Sequence, residues 1–157
     1  GLGGFRIGDK NGQRGEWADF GDLEGLTLAD FDAPETLYLI VERQGLIQEV
    51  DLSSYGTAVT NNSWNVTPNL VSGDGAEGIT FVPDSFLQQD GFVDATGQPY
   101  TSQGGMGGLM LVAPQNGGHI YIFDLNRDDG SFTFVGRYKS ARDESAGLEF
   151  DRSTGLR

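Results

Sequence analysis

The chain contains a repeated segment, and this repeat constrains its fold more than any other feature of the sequence. Two copies begin with an apolar residue and a Glu-Gly pair, and a third copy has Ala where the others have Glu. The copies are Leu23-Glu24-Gly25-Leu26-Thr27-Leu28, Ala76-Glu77-Gly78-Ile79-Thr80-Phe81 and Ser145-Ala146-Gly147-Leu148-Glu149-Phe150. Their glycines lie 53 and 69 residues apart. Spacings of this size indicate one supersecondary unit that recurs along the chain.

Each unit is predicted to contain four short strands. The repeated segment is the first strand, a buried apolar run is the second, and an alternating segment is the third. The fourth strand is predicted at residues 64–70 in the first unit and at residues 131–138 in the second. Turn-forming residues separate these segments, and no window shows the sustained apolar stripe of a long helix. The sequence therefore predicts an all-β fold of four-stranded antiparallel meanders.

Four-stranded units of this length are typical of β-propellers, which contain about 4–8 such blades. The predicted blade units are residues 23–70 and 76–139, and residues 145–157 begin a further blade. Residues 85–106 are rich in Gly, Gln and Asp and are predicted to be an insertion that forms a surface loop. Because two blades cannot close a ring, the 157 residues are interpreted as part of one larger propeller domain.

The chain is strongly acidic, with 10 Lys and Arg against 23 Asp and Glu and a formal net charge of −13. This charge argues against nucleic acid and anionic membrane surfaces as partners, because both attract basic proteins. The absence of Cys excludes disulfides, zinc–thiolate sites and Cys nucleophiles. No apolar run reaches the length of about 18 residues that would predict a membrane span.

The repeated segments and the strands that follow them resemble the SdiA-regulated family of β-propellers. The first unit resembles this family through Asp22-Leu23-Glu24-Gly25-Leu26-Thr27 and the second through Ile120-Tyr121-Ile122-Phe123-Asp124-Leu125. The third unit resembles it through residues 143–155, and the esterase-like phytase propellers have similar Glu-Gly-Leu segments. The resemblance implies an exported protein, secreted or periplasmic, with bound calcium. It implies no defined reaction.

Glu24 and Glu77 are the principal candidates for metal ligands. Each precedes the glycine that opens an innermost strand, and equivalent positions of neighbouring blades converge around the propeller axis. Carboxylates held together there would repel one another, and calcium, which prefers oxygen ligands, would relieve the repulsion. Glu42, Asp143 and Glu144 are predicted to join the same site. The alternative is that each Glu caps a turn by accepting a hydrogen bond from a nearby backbone N–H.

Two other patterns have simpler interpretations. The segment Asp124-x-Asn126-x-Asp128-Asp129-Gly130 resembles the start of a calcium loop, but the extra Asp129 displaces the glycine, and Val135 stands where Glu is required. A hairpin turn is therefore predicted. His119 is the only histidine, and no Gly-x-Ser-x-Gly elbow is present to partner it, so a position at the surface or at the start of a strand is predicted.

The predicted function is an extracytoplasmic binding or assembly module with structural calcium and no defined catalytic activity. The predicted partner is another protein or the remaining blades of the same propeller. The alternative is a metal-dependent phosphoesterase of the phytase type, which needs carboxylates and basic side chains around one mouth. Arg137, Lys139 and Arg142 form the dense basic cluster that would meet a phosphate. The simpler interpretation is that they are solvated and pair with Asp143 and Glu144.

Overall fold

The computed structural model describes residues 6–8, 23–41, 45–71, 75–115, 118–139, 150–151 and 155–156. Within these residues the chain forms two main sheets, each containing four consecutive antiparallel strands, and a smaller two-stranded sheet. The prediction of an all-β fold made of four-stranded antiparallel meanders is therefore confirmed.

The first sheet contains β2 (Leu23–Thr27), β3 (Thr36–Val41), β4 (Leu46–Ser54) and β5 (Thr57–Asn65). Each strand is antiparallel to the next. A short strand, β1 (Arg6–Gly8), runs parallel to β5 and extends the sheet beyond it. The order is therefore β1-β5-β4-β3-β2, which leaves β2 at the edge opposite β1.

The second sheet has the order β6-β7-β8-β9. Its strands are β6 (Ala76–Pro83), β7 (Gly108–Pro114), β8 (His119–Leu125) and β9 (Phe132–Lys139). Two further short strands, β10 (Phe150–Asp151) and β11 (Gly155–Leu156), form an antiparallel pair, and β10 lies beside β6. The first strand of each meander, β2 or β6, therefore lies at one edge of its sheet.

The fourth strand of the first sheet differs from the prediction. The expected strand over residues 64–70 is wrong, because β5 begins at residue 57 and residues 67–69 form a 3-10 turn. Asn61 is the extra residue of a β-bulge opposite β4. The bulge shifts the alternation, so Ala58 and Trp64 pack on opposite faces of the sheet although six residues separate them. A search for regular alternation of inward and outward side chains therefore does not find this strand.

The main core lies between the facing surfaces of the two sheets. Tyr38 and Trp64 of the first sheet stack with their ring centroids 6.4 Å apart, and each is only 1% exposed. The other buried members are Ile40, Ile47, Val66, Ala76, Ile79, Phe81, Met110, Val112, Tyr121, Phe123 and Leu125. Each large apolar side chain contributes about 1.5–3 kcal/mol on burial. The two sheets are therefore held together as a packed pair.

The edge strands β2 and β6 run parallel to each other. A Cβ placed on Gly25 would lie 3.2 Å from the backbone nitrogen of Ile79. Two residues further along each strand, the backbone N–H of Phe81 donates a hydrogen bond to Thr27 Oγ1 at 3.2 Å. Because both contacts advance in the same direction, equivalent edge strands lie side by side in parallel orientation.

The insertion between β6 and β7 packs on the face of the second sheet that is turned away from the first sheet. It begins with a short helix, α1 (Asp84–Gln89), in which Leu87 is 5% exposed. Leu87 packs in a cluster with Val82, Leu109, Leu111, Ile122 and Val135. Phe86, Phe92 and Tyr100 are half-buried against the same cluster. The insertion therefore contributes to a core, which differs from the surface loop predicted outside the blade.

Candidate functional site

Glu24 and Glu77, the principal predicted metal ligands, occupy equivalent positions in the two sheets. Each is the extra residue of a β-bulge, because the pairing of β2 shifts register at Glu24 and that of β6 shifts at Glu77. Glu24 is exposed and Glu77 is half-buried. Since β2 and β6 are parallel neighbours, the structure brings these two residues to corresponding ends of adjacent strands.

The other predicted metal ligands, Glu42, Asp143 and Glu144, are outside the described residues. Among the residues that the structure describes, no three His, Asp or Glu side chains are grouped in a way that could hold a metal ion. Two carboxylates supply fewer than the 6–8 oxygen ligands that calcium takes. The calcium site therefore stays a prediction.

A cleft opens between the two sheets at the opposite end of β2. The loop that follows β2, including Ala29, Asp30 and Ala33, lines this cleft, whereas Glu24 lies near the start of the strand. A strand of five residues spans about 17 Å, so the cleft and the predicted metal site are well separated. The cleft has adjoining compartments of about 420 Å³ and about 330 Å³. These volumes lie in the range of small-molecule sites.

Arg127 lines both compartments and is held by Glu49 of the facing sheet. Arg127 Nε lies 2.5 Å from Glu49 Oε2. The Tyr38 hydroxyl donates to the same oxygen at 2.6 Å, and Asn62 Nδ2 donates to Oε1 at 3.2 Å. Glu49 is 1% exposed, whereas the Arg127 side chain is 49% exposed. A buried carboxylate with three donors thus fixes one nitrogen of a half-exposed guanidinium.

Trp64 of the first sheet fixes the turn that carries Arg127. Its Nε1 donates to the carbonyl oxygens of Asn126 and Ser131, at 3.3 and 3.1 Å. Within the turn, Asn126 Oδ1 accepts the backbone N–H of Asp128 at 2.9 Å. These bonds form the predicted hairpin turn between β8 and β9, and they join it to the opposite sheet.

Burial and hydrogen bonding shift the pKa values of two groups in the cleft, Tyr38 and Arg127. Burial, together with the hydrogen bond to Glu49, raises the pKa of the Tyr38 hydroxyl well above its ordinary value. Burial alone would lower the pKa of Arg127, but the hydrogen bond to Glu49 and nearby negative charges outweigh it and raise that pKa. Tyr38 therefore remains a neutral donor and Arg127 remains a cation at neutral pH.

A glycine-rich strap, residues 104–108, closes one side of the cleft, and its Gly105 lines both compartments. The strap is anchored by Asp124, which is 3% exposed. The Asp124 carboxylate accepts hydrogen bonds of 2.7, 2.7 and 3.0 Å from the Tyr100 hydroxyl and the backbone N–H groups of Gln103 and Gly104. A Cβ on Gly104 would lie 2.1 Å from the carbonyl oxygen of Leu125. This contact requires glycine at position 104.

The described residues of the basic cluster considered for phosphate do not line the cleft. Arg137 and Lys139 are exposed on β9, and Arg142 lies outside the described residues. His119 is half-buried at the start of β8, where it pairs with Lys139 of β9. Since β6 and β9 are three strand spacings apart, about 14 Å separates the strand of Glu77 from the basic side chains. Within the described residues, the predicted carboxylate ligand Glu77 and the basic side chains of β9 therefore do not surround one opening.

Glu49, Asn62 and Arg127 are absent from the sequence-based candidates. Glu49 gives a signal that could have identified it, because it follows Ile47 by two residues and so shares the inward face of β4. A carboxylate at such a position is buried and requires donors. Arg127 gives no comparable signal, because its partner is distant in sequence and only the packing of the two sheets brings them together.

In the described parts of the chain, no helix has the length and apolar character needed to cross a membrane.

No family model matches the chain, and no curated protein matches it.

Proposed function

We propose that the chain contributes two neighbouring blades of a β-propeller that acts as a binding module, with the cleft around Arg127 as its ligand site. One observation carries this proposal: a half-exposed guanidinium is pinned by a buried carboxylate where the two sheets meet. Burying Glu49 incurs a desolvation cost, which its three donors offset. The ion pair with Glu49 orders the Arg127 side chain before a ligand binds, which lowers the entropy cost of binding.

The relation between β2 and β6 supports the propeller. Blades related by rotation about one axis place their innermost strands side by side in parallel, as β2 and β6 are placed here. The equivalent bulges at Glu24 and Glu77 support the same relation. The position of β10 beside β6 is the position that the first strand of a following blade would take.

The pKa shifts of Tyr38 and Arg127 suit fixed hydrogen-bonding roles for these two residues rather than general acid–base roles. A general acid or base works best with a pKa near the working pH, whereas Tyr38 and Arg127 both have pKa values raised further from neutrality. The residues that the sequence offered for the phosphoesterase alternative are not brought together within the described part of the chain, because Glu77 and Arg137 lie on opposite edge strands of one sheet. Export, bound calcium, and contact with further blades or a protein partner stay predictions.

The proposal is tested by nuclear magnetic resonance, with the indole N–H of Trp64 as the probe. Trp64 donates to the turn that carries Arg127, so occupation of the cleft should shift its resonance. A Trp17→Phe background leaves Trp64 as the only indole. The protein is titrated with sugars, amino acids, carboxylic acids and nucleosides, and at least one class should shift the Trp64 signal saturably.

The matched control uses two arginines of the second sheet. Arg127→Met should abolish the shift, whereas Arg137→Met, on the exposed β9, should leave it unchanged. A panel that never moves the Trp64 signal, or a shift that survives Arg127→Met, would contradict the proposed binding site.

A further inference from the structure

The guanidinium of Arg127 is the fixed polar element of the cleft. Its Nε is engaged by Glu49, and among the described residues Arg127 has no other ion pair. The terminal nitrogens therefore offer parallel N–H donors from a side chain that is 49% exposed. Such a planar fork matches the two oxygens of a carboxylate and forms a bidentate contact with them.

The charges around Arg127 disfavour a simple anion. Asp30 lines the larger compartment and Asp128 lines the smaller one, while Glu49 already neutralises the charge of Arg127. The whole chain also carries a net charge of −13. A ligand with only negative charge would therefore meet repulsion, whereas a ligand that also carries a positive group would be balanced.

Asp30 is placed to receive that positive group. Its Oδ1 accepts the backbone N–H of Asp32 at 2.8 Å, which fixes the carboxylate within the loop after β2. Its Oδ2 has no hydrogen-bond partner among the described residues. Asp30 and Arg127 line the same compartment, which therefore offers an acceptor for an ammonium and a donor for a carboxylate.

Apolar side chains form part of the remaining wall of the larger compartment. Pro83 of β6 and Met106 of the strap line it, together with Ala29 and Ala33. A volume of about 420 Å³ accommodates a small molecule with one hydrocarbon side chain.

We propose that the larger compartment binds a free α-amino acid with an apolar side chain. The ligand carboxylate binds the Arg127 fork, the ammonium binds Asp30, and the side chain packs on Pro83 and Met106. This inference rests on the proposed function, since it names the ligand class of the same cleft.

The experiment compares L-leucine with analogues that each lack one recognised group, using the Trp64 indole resonance and calorimetry. L-leucine should bind saturably. N-acetyl-L-leucine lacks the ammonium, L-leucinamide lacks the carboxylate, and glycine lacks the side chain. Each analogue should bind about tenfold more weakly or worse, because each loses a complete contact.

Two substitutions link the analogues to their residues. Asp30→Asn keeps the Oδ1 acceptor for Asp32, so the loop should fold. It should lower the affinity for L-leucine about tenfold and leave the affinity for N-acetyl-L-leucine unchanged. Asp32→Asn is the matched control on the same exposed loop and should have no effect. Arg127→Lys keeps the positive charge but removes the planar pair of N–H donors. It should lower the affinity for L-leucine and leave the affinity for L-leucinamide unchanged.

The outcomes separate this inference from the proposed function. If another class of molecule shifts Trp64 in an Arg127-dependent way and L-leucine does not, the amino-acid inference is overturned and the binding cleft stands. If N-acetyl-L-leucine binds as tightly as L-leucine, or Asp30→Asn has no effect, the inference is also overturned. If nothing shifts Trp64, both fail.

Discussion

At the scale of single residues, two buried carboxylates organise the structure around the cleft. Glu49 joins the two sheets through Arg127, and Asp124 joins the second sheet to its insertion through Tyr100 and the strap. Each is less than 4% exposed and accepts three hydrogen bonds, as a buried carboxylate requires. These carboxylates hold the walls of the cleft in fixed positions.

The tyrosine that donates to Glu49 should make stability depend on alkaline pH. Burial and the bond to Glu49 raise the pKa of Tyr38 above its ordinary value of 10.0, so the unfolded chain releases this proton first. The stabilisation is fully present below about pH 10 and is lost as the pH rises toward the raised pKa of the folded state. Urea unfolding should show a free energy of unfolding that falls by up to about 1.4 kcal/mol per pH unit above pH 10.

Tyr38→Phe removes the titrating hydroxyl and should make this decline shallower. The comparison is made at each pH against the same variant at pH 8, which separates the pH effect from the constant loss of one hydrogen bond. A free energy of unfolding that stays level between pH 9 and pH 11 in the unsubstituted protein would refute the assigned role of Tyr38.

Glu24 and Glu77 give a second prediction at this scale. If they share a divalent cation, calcium should raise the melting temperature, because a ligand bound only by the folded state stabilises it by about 2.7 kcal/mol at a hundredfold excess over Kd. Glu24→Gln combined with Glu77→Gln should abolish the rise, and Glu35→Gln, an exposed Glu next to β3, should not. An unchanged melting temperature in millimolar calcium would leave only the turn-capping role.

At the scale of elements, the insertion is a structural part of the second sheet. It follows β6, and its Ala95 N–H donates to the carbonyl oxygen of Val135 on β9 at 3.3 Å. Tyr138 of β9 also donates its hydroxyl to the carbonyl oxygen of Val93. The insertion therefore crosses the whole sheet and covers the apolar side chains on its outer face.

Leu87 of α1 should account for much of this covering. Leu87→Ala should lower the free energy of unfolding by about 2–5 kcal/mol, because it removes a buried side chain and leaves a cavity under the helix. Gln89→Ala, at an exposed position of the same helix, should change it by no more than about 0.5 kcal/mol. Both values come from urea unfolding. Equal effects of the two substitutions would show that the insertion does not pack on the sheet.

The sequence predicts elements well where alternation is unbroken and poorly where a bulge or a distant partner intervenes. The predicted bounds of β2, β6 and β9 lie within one or two residues of the observed ones. The repeat misplaces β5 because the bulge at Asn61 reverses the faces of the residues that follow. The cleft was beyond prediction because Glu49 and Arg127 belong to different sheets, and their contact depends on how the sheets pack.

At the scale of the whole molecule, the two sheets behave as consecutive units of one repeat. Their facing surfaces share a core, their edge strands β2 and β6 are parallel, and the cleft lies at the end of that junction. A third unit placed by the same relation would meet the insertion on the outer face of the second sheet. In the proposed propeller, the insertion would then form part of the next interface between blades.

The most direct test of this account is the pattern of nuclear Overhauser effects between β2 and β6 in the labelled protein. Parallel neighbouring strands predict contacts from Gly25 to Ile79 and from Thr27 to Phe81. Observation of both pairs would establish the arrangement on which the cleft depends. Contacts from Gly25 to Phe81 and from Thr27 to Ile79 would indicate antiparallel strands. The absence of any contact would show that β2 and β6 are not neighbouring strands. Either result would contradict the account.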